Sequence, residues 1–399
     1  MSSAAMPVDA GREYARPLVP AGVLAESAAA RFEAVCFKTF ADVSAEWAAH
    51  ADQGAGSPFQ QARWLEAWYS TAAMRPGVEP LIIRVSAPGG LAAILPLVRV
   101  KRGVLSFIEF ADCGITDYNA PLLGPTAPEP AEQAAEFWAA VRAALPRADI
   151  IDFAKMPLLL RGRRNPLAAL DGVTASDLIG NSFEVKTSWA VFRHGLARTF
   201  RKEIERSWRV FLKHEGAEFK RITDPVEAEA ALDAIERLQR ERIQDLGLPY
   251  VLDDMANSGV YREAMRNGLA DGSVVITIMR QGDDIAAALL GLSDGKSFAM
   301  IRLAIGGARW KNCSPGRLIL DGSMALMREQ GITHFDFTIG DYPFKRRLGA
   351  GPVPLADYAE ALTWLGLPLI LKRRARRWLK QQDFIRNAVR RQRGKAAVT

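Results

Sequence analysis

Cysteine is scarce: Cys36, Cys113 and Cys313 stand far apart in a chain of 399 residues. There is no CxxC pair and no Cys/His cluster, which argues against a disulfide framework and against a zinc site, and fits a reducing cytoplasm. No basic start followed by an apolar run opens the sequence, so no secretory signal is read. Long apolar runs are missing as well. The best late one, residues 361–371, is broken by Thr363, Gly366 and Pro368 and is short of the roughly 20 residues a bilayer crossing needs. Acidic residues are nearly absent from one place: residues 371–399 carry eleven Lys/Arg and only Asp383, so +10 of charge sits there and −3 is left for the rest of the chain's +7. The body therefore gives no reason to expect specific nucleic-acid binding, whereas the tail is a candidate for polyanions.

What is present is a large apolar fraction, 49%, enough for more than one core. Residues 1–35 read as a loose Ala/Pro/Ser-rich leader. A first unit, 36–185, has a helix near Phe59–Trp68, strands Leu81–Val85 and Ala92–Val100 about the turn Pro88-Gly89, a strand Val104–Phe110, a helix near 130–145 and a strand Asp149–Ala154. A second unit, 217–365, repeats that order: a helix from Pro225, a hairpin about Gly282-Asp283, a strand Ser297–Ala304, a helix from Arg317 and a strand Ile332–Thr338. The closing strands share letters, IIDFA at 150–154 and HFDFT at 334–338. The expected fold is α/β (α+β), two tandem units, each a mixed and mainly antiparallel sheet flanked by helices. Between them, 186–216 holds an amphipathic linking helix with an apolar face of Phe200, Ile204, Trp208, Phe211 and Leu212, ending at Gly216. The tail is 366–399.

The segment HFDFTIGDYPFKRRLG, residues 334–349, runs from a strand into a loop of concentrated charge. Its Asp336, Phe337, Gly340, Asp341, Phe344 and Lys345, with Ser314-Pro315-Gly316 before the last helix, resemble the GNAT acyltransferase superfamily. Within it they resemble the CelD/BcsL-type branch of cellulose and exopolysaccharide biosynthesis, related to Fem-type peptidyltransferases. SPFQQARWLEAWY, AILPLVRV and ITDYNAPLL in the first half resemble it too, and the family is likewise built of two GNAT-like units.

The resemblance implies an N- or O-acyltransferase with acyl-CoA (acetyl-CoA) as donor, no metal, and a sugar or cell-envelope precursor as acceptor. An aminoacyl-tRNA-dependent Fem-like transferase and a non-catalytic scaffold are the alternatives. Catalysis falls to Asp341 and Lys345 at the end of the last strand, where open α/β sheets form crevices. Donor binding falls to Arg309, Lys311, Ser314, Gly316 and Arg317, because a helix start offers free N–H groups and partial positive charge. Acceptor binding falls to Asp117, Tyr118, Asn119 and Tyr342. Simpler readings stand beside these. Asp341 and Lys345 can be a salt-linked loop, Ser314 an ordinary N-cap, Asp117 and Asn119 an Asx-type turn, and Asp336 a structural hydrogen-bond partner. The usual loop glycine is Ser314 here, and the usual tyrosine beside the lysine is Phe344, so no phenol acid stands there. His334 shares a strand face with Asp336 and reads as structural; His50, His194 and His214 carry no pattern.

In the tail, Leu371, Ala375, Trp378, Ile385 and Val389 recur at helical spacing among Arg373, Arg374, Arg376, Arg377, Lys380 and Arg386. Such a helix suits an anionic membrane, with the protein peripheral on its inner face. Packing on the body, and a disordered tail that binds any polyanion nonspecifically, are the other readings.

Overall fold

Turn chemistry sets the register from the start. Pro88-Gly89, with Gly89 at φ +100°, closes a hairpin between two apolar, β-branched runs. In the computed structural model, which describes residues 31–52, 56–129, 131–247, 250–340 and 342–379, those runs are β2 (Val78–Ala87) and β3 (Gly90–Arg102). Before them come β1 (Glu33–Phe37), α1 (Ser44–Asp52) and α2 (Ala62–Thr71). After them come β4 (Leu105–Phe110), β5 (Leu122–Leu123), α3 (Ala131–Ala144) and β6 (Ile150–Pro157). Two small strands, β7 (Leu159–Leu160) and β8 (Arg163–Arg164), form their own ribbon before β9 (Thr174–Glu184).

Two helices follow, α4 (Trp189–Gly195) and α5 (Arg198–Phe211). The second unit is β10 (Ala217–Ile222), α6 (Pro225–Asp245), α7 (Met255–Gly268), β11 (Val274–Gln281), β12 (Asp284–Ser293), β13 (Ser297–Ile305), α8 (Pro315–Glu329), β14 (His334–Asp336), α9 (Pro343–Arg347) and β15 (Gly351–Ala361). Residues 367–379 are helical.

The strands make one sheet in the order β1-β2-β3-β4-β6-β15-β9-β14-β13-β12-β11-β10, with β5 beside β3. Only β4/β6 and β13/β14 pair in parallel, at equivalent places in the two units. The units exchange their last strands. β9, from the first, pairs with β14 of the second; β15, from the second, pairs with β6 of the first; β9 and β15 pair with each other at the seam. The duplicated pattern in the sequence is thus a duplicated fold, although each unit borrows a strand across the boundary drawn at 185.

One face of the sheet carries α1, α2, α6 and α7 over a core shared by both units, in which Trp64 of α2 meets Tyr261 of α7 with ring centroids 5.5 Å apart. The other face has a separate core under α3 and another under α4, α5 and α8. Three sequence expectations are corrected. Residues 33–35 of the presumed leader are in β1. The linking segment is two helices rather than one, and it ends at Phe211, with Gly216 (φ +72°) in the turn before β10. Leu212, assigned to its apolar face, is 62% exposed.

Candidate functional site

β14 and β13 pair over three residues, Ser297–Ala299 against His334–Asp336, and then part. β13 stays with β12 as far as Ile305, while 337–340 stays beside β9 through Phe337 N to Asn181 O (2.8 Å) and Gly340 N to Ile179 O (3.2 Å). Asp336 therefore stands where the two strands separate. It is buried. Its Oδ1 accepts the Tyr118 hydroxyl at 2.8 Å and the Thr338 amide at 2.6 Å. Its Oδ2 takes no hydrogen bond among the described residues.

Tyr118 comes from the loop after β4, its ring set edge-on to Phe59. It reaches Asp336 because Gly180 of β9 leaves room: a Cβ there would lie 2.2 Å from the hydroxyl oxygen. Thr338 has the left-handed φ of 58°, unfavourable for a β-branched residue. Its amide is tied to Asp336, its carbonyl accepts from Lys345 Nζ (3.2 Å) and Asn181 Nδ2 (3.4 Å), and the Asp117 carboxylate bonds it as well.

Burial lifts Asp336 to about 7, helped by the charge of Asp117 and opposed by the Tyr118 and Thr338 bonds and by Lys345. Burial likewise lifts Asp117 to about 6, against its Thr338 bond and Lys155. A carboxyl shifted toward neutral pH is suited to take or give a proton there. His334 is pushed below its usual range by burial, so it is neutral at pH 7.

The sequence-predicted residues divide. Asp117, Tyr118 and Lys345 come together around Asp336 and Thr338, whereas Asn119 turns away toward Asp112 and Ala154. Lys345 does not stand open at a crevice mouth. It is 3% exposed and its Nζ donates to the carbonyls of Phe337 (2.9 Å), Thr338 (3.2 Å) and Ile339 (2.9 Å). Asp341 lies outside the described residues. Asn119 is buried, its Nδ2 held by Asp112 (2.8 Å) and Ala154 O (2.9 Å), and its Oδ1 takes no hydrogen bond among the described residues. Tyr342 is exposed and stacks on Phe344.

The loop from β13 to α8 brings the helix start to the end of β13. Ser314 does not cap it: its backbone is left-handed and its side chain makes no capping bond. Pro315 supplies no N–H, and the Gly316 amide is unengaged among the described residues, an open donor at the positive end of a four-turn helix. Arg317 and Arg347 both reach Glu203 at 2.9 Å and lie over the Phe200 ring. That joins α9 to the start of α8. Arg309 is turned instead toward the hairpin, bonding Asp284 (2.8 Å) and Gln281, and Lys311 is exposed.

Sequence reasoning missed the active look of Asp336, Thr338 and Gly180, and it missed a cavity of about 750 Å³ between the units into which His334, Asp336, Tyr118 and Ser182 face. The shared strand face of His334 and Asp336 was the one signal for it.

The fold is GNAT-like: two units of mixed, mainly antiparallel sheet flanked by helices, with the sheet of the second parting beside a helix start. Residues 198–346 match the family described as an acetyltransferase (GNAT) domain, a stretch that includes β13, α8, β14 and α9. No curated protein matches the chain. Among solved structures, FemX superposes with a TM-score of 0.57 at 12% identity, over 79% of this chain and 95% of that one. The C-terminal (DUF2156) domain of a protein named a lysylphosphatidylglycerol synthetase, from Agrobacterium fabrum, gives 0.50 at 13% identity, over 82% and 96%. A tandem GNAT protein from the clavulanic acid biosynthesis pathway gives 0.45 at 12% identity, over 83% and 98%.

Proposed function

We propose that this protein is an acyltransferase that moves an acyl group from an acyl thioester, acyl-CoA, to an amino or hydroxyl group of a sugar or cell-envelope precursor, as in the CelD/BcsL-type branch it resembles. The observation that carries this reading is the parting of β13 and β14 just past Asp336, with the unengaged Gly316 amide at the neighbouring helix start, all within the acetyltransferase-like segment. The α8 start would hold the donor's pyrophosphate on backbone N–H, with Arg317 nearby as a cation. The donor supplies an activated acyl carbonyl. The protein's own task is to place the acceptor, take its proton and hold it dry. Asp117, Tyr118 and Asn119 are the acceptor-side residues in this reading, and Asp341 and Lys345 are its catalytic candidates.

The FemX-like fold keeps one other reading in view, transfer of an aminoacyl group from tRNA. A thermal-shift and calorimetric series with acetyl-CoA, longer acyl-CoAs and aminoacyl-tRNA separates the two, since a ligand that binds the folded state raises its melting temperature. Stabilisation by acyl-CoA with release of free thiol supports the proposal. Stabilisation by aminoacyl-tRNA alone transfers it to the second reading, and no shift with any ligand leaves a scaffold.

A further inference from the structure

The cavity between the units has an unusual division of surface. Its outer wall is apolar, from Pro157 to Leu160 on one side and Val353 and Pro354 of β15 on the other. Its floor is polar: Asp336 and Tyr118, with Ser182, the β9 partner of Asp336, and His334 beside them. Lys296 stands exposed at the mouth, and Arg161 there is paired with Asp294.

The cations near the floor have their hydrogen bonds directed elsewhere. Lys155 is consumed by Asp112, with Nζ 2.7 Å from Oδ2, and by the Thr116 carbonyl. Lys345, from α9, is turned to three carbonyls and reaches Asp336 only as a neighbouring charge. Asp117 repels Asp336 from the loop after β4, and His334 on its own strand is uncharged at neutral pH. A buried carboxylate with one oxygen unbonded among the described residues, a second carboxylate close by, and Lys345 acting on it only as a neighbouring charge is a seat for a positive group from outside.

We propose that this cavity is the acceptor site, that it takes an amphiphilic primary amine with its ammonium on Asp336 and its apolar body along Leu158–Leu160 and Val353, and that Asp336 accepts the proton that frees the amine. This deepens the acyltransferase reading and rests on it for the word acceptor: it makes the transfer N-directed. The proton step balances as R–NH3⁺ and carboxylate going to R–NH2 and carboxylic acid, and the acid then returns its proton to water through the cavity mouth. Tyr118 and Gly180 are positioning residues in this scheme, the first orienting Asp336 and the second admitting the first.

The test is calorimetry of the full chain with hexylamine, hexanol and hexanoate, which share an apolar length. Hexylamine is expected to bind at least tenfold more tightly than either of the others. At pH 7 it should release about half a proton on binding, read from buffers of different ionisation enthalpy, because a carboxyl titrating near 7 is half protonated before the ammonium arrives and ionised after it. Asp336→Asn should remove the amine preference and the proton release. Val353→Trp, at a half-exposed strand position, should fill the cavity and weaken all three probes. Should Asp336→Asn fail to fold, Tyr118→Phe serves: it removes a bond that favours the carboxylate, so hexylamine affinity should fall at pH 6.5 and recover by pH 8.5. Equal binding of amine and alcohol, no binding of the amine, or amine binding indifferent to both floor variants overturns the proposal. Thiol release from acyl-CoA is scored separately. Amine binding without it keeps the site and removes the acyltransferase reading; thiol release without amine binding does the reverse.

Discussion

The Tyr118 hydroxyl donates to Asp336 Oδ1 at 2.8 Å across 218 positions of sequence, and it is a bond between the two units. Everything about its surroundings is arranged around that approach, down to the missing Cβ of Gly180. The first prediction uses this. Gly180→Ala should displace the phenol and cost roughly 1–3 kcal/mol, the range for overpacking a tight contact. Tyr118→Phe alone should cost about 1 kcal/mol for the lost bond. The double variant should cost clearly less than the sum, since Gly180→Ala has by itself already spoiled the bond. Urea denaturation of the three variants measures the cycle; simple additivity would mean that Gly180 does not serve Tyr118.

Asp336→Asn gives a pH signature. The carboxyl sits at about 7 in the folded protein against an ordinary value of 3.8, so the folded state holds its proton more tightly than the unfolded chain does. That contribution is fully present below pH 4 and is lost as the pH rises toward 7. An asparagine keeps the acceptor oxygen for Tyr118 and Thr338 but never ionises. The variant should therefore melt above the wild type at pH 8, by an amount on the order of 2–4 kcal/mol, with the two curves converging near pH 4. A constant difference across that range would show that Asp336 is not the titrating group.

These residues explain how far the sequence could be read. Hairpins and the α6 and α8 helices announce themselves through turn glycines and apolar periods, and the duplication follows from their order. The strand exchange does not. β15 reads GPVPLADYAEA, and its Pro352 and Pro354 argue against a strand inside a sheet. They are accommodated at the seam with β9, where the register shifts between Pro354 and Ala356. β9, TASDLIGNSFE, lacks a clean alternation because so much of it is exposed. Without that exchange Tyr118 has no reason to meet Asp336. The same gap hides the contrast between Asp336 and its counterpart Asp152. Both are the last residues of their parallel pairing, opposite Ala299 and Glu109, yet Asp152 is taken by Arg373 through two bonds of 2.7 Å.

Lys345 provides the third prediction. Were it the exposed cation of a salt-linked loop, its replacement would leave stability nearly unchanged. Buried and spread over three carbonyls, it instead holds the 337–339 turn in place. Lys345→Met fills the same volume but leaves those carbonyls without a donor, a loss of roughly 2–5 kcal/mol. Thermal melts should show it whatever happens to turnover. Full stability with lost activity would return Lys345 to a purely chemical role.

Gly316 is the test of the donor side. A Cβ there would lie 2.7 Å from Ile305 Cδ1, the far end of an exposed side chain that can move aside. Gly316→Ala should therefore fold, within about 1 kcal/mol of the wild type. If the α8 start holds a pyrophosphate, crowding it should weaken acetyl-CoA binding at least tenfold by calorimetry. Unchanged affinity would remove this loop from the site.

The last prediction concerns the helical segment 367–379. Arg373 and Arg377 turn inward to Asp152 and Asp357, and Ile370 is buried beside Phe107 and Ile150. The described part of the predicted stripe, Leu371, Ala375 and Trp378, does not pack on the body. Leu371 and Trp378 are each 60% exposed, Trp364 just before them is 76% exposed, and Lys372, Arg374 and Arg376 are exposed as well. Ile385 and Val389, with Lys380 and Arg386, lie outside the described residues. No helix among the described residues is long and apolar enough to cross a membrane. A docked helix that, with the turn before it, shows Trp364, Leu371, Trp378 and three cations is suited to lie on an anionic bilayer, where each cation near the surface contributes about 1 kcal/mol. Flotation with phosphatidylglycerol-containing liposomes should recover the protein, phosphatidylcholine alone should not, and added salt should weaken the binding. Cutting the chain at Gly366 would strip Ile370 and Arg373 from the core, so the cleaner variant is Trp364→Ser with Leu371→Ser and Trp378→Ser, which should abolish flotation and leave the melting temperature in place. Flotation undiminished in that variant would remove this surface as the anchor, and no flotation of the wild type would end the membrane reading.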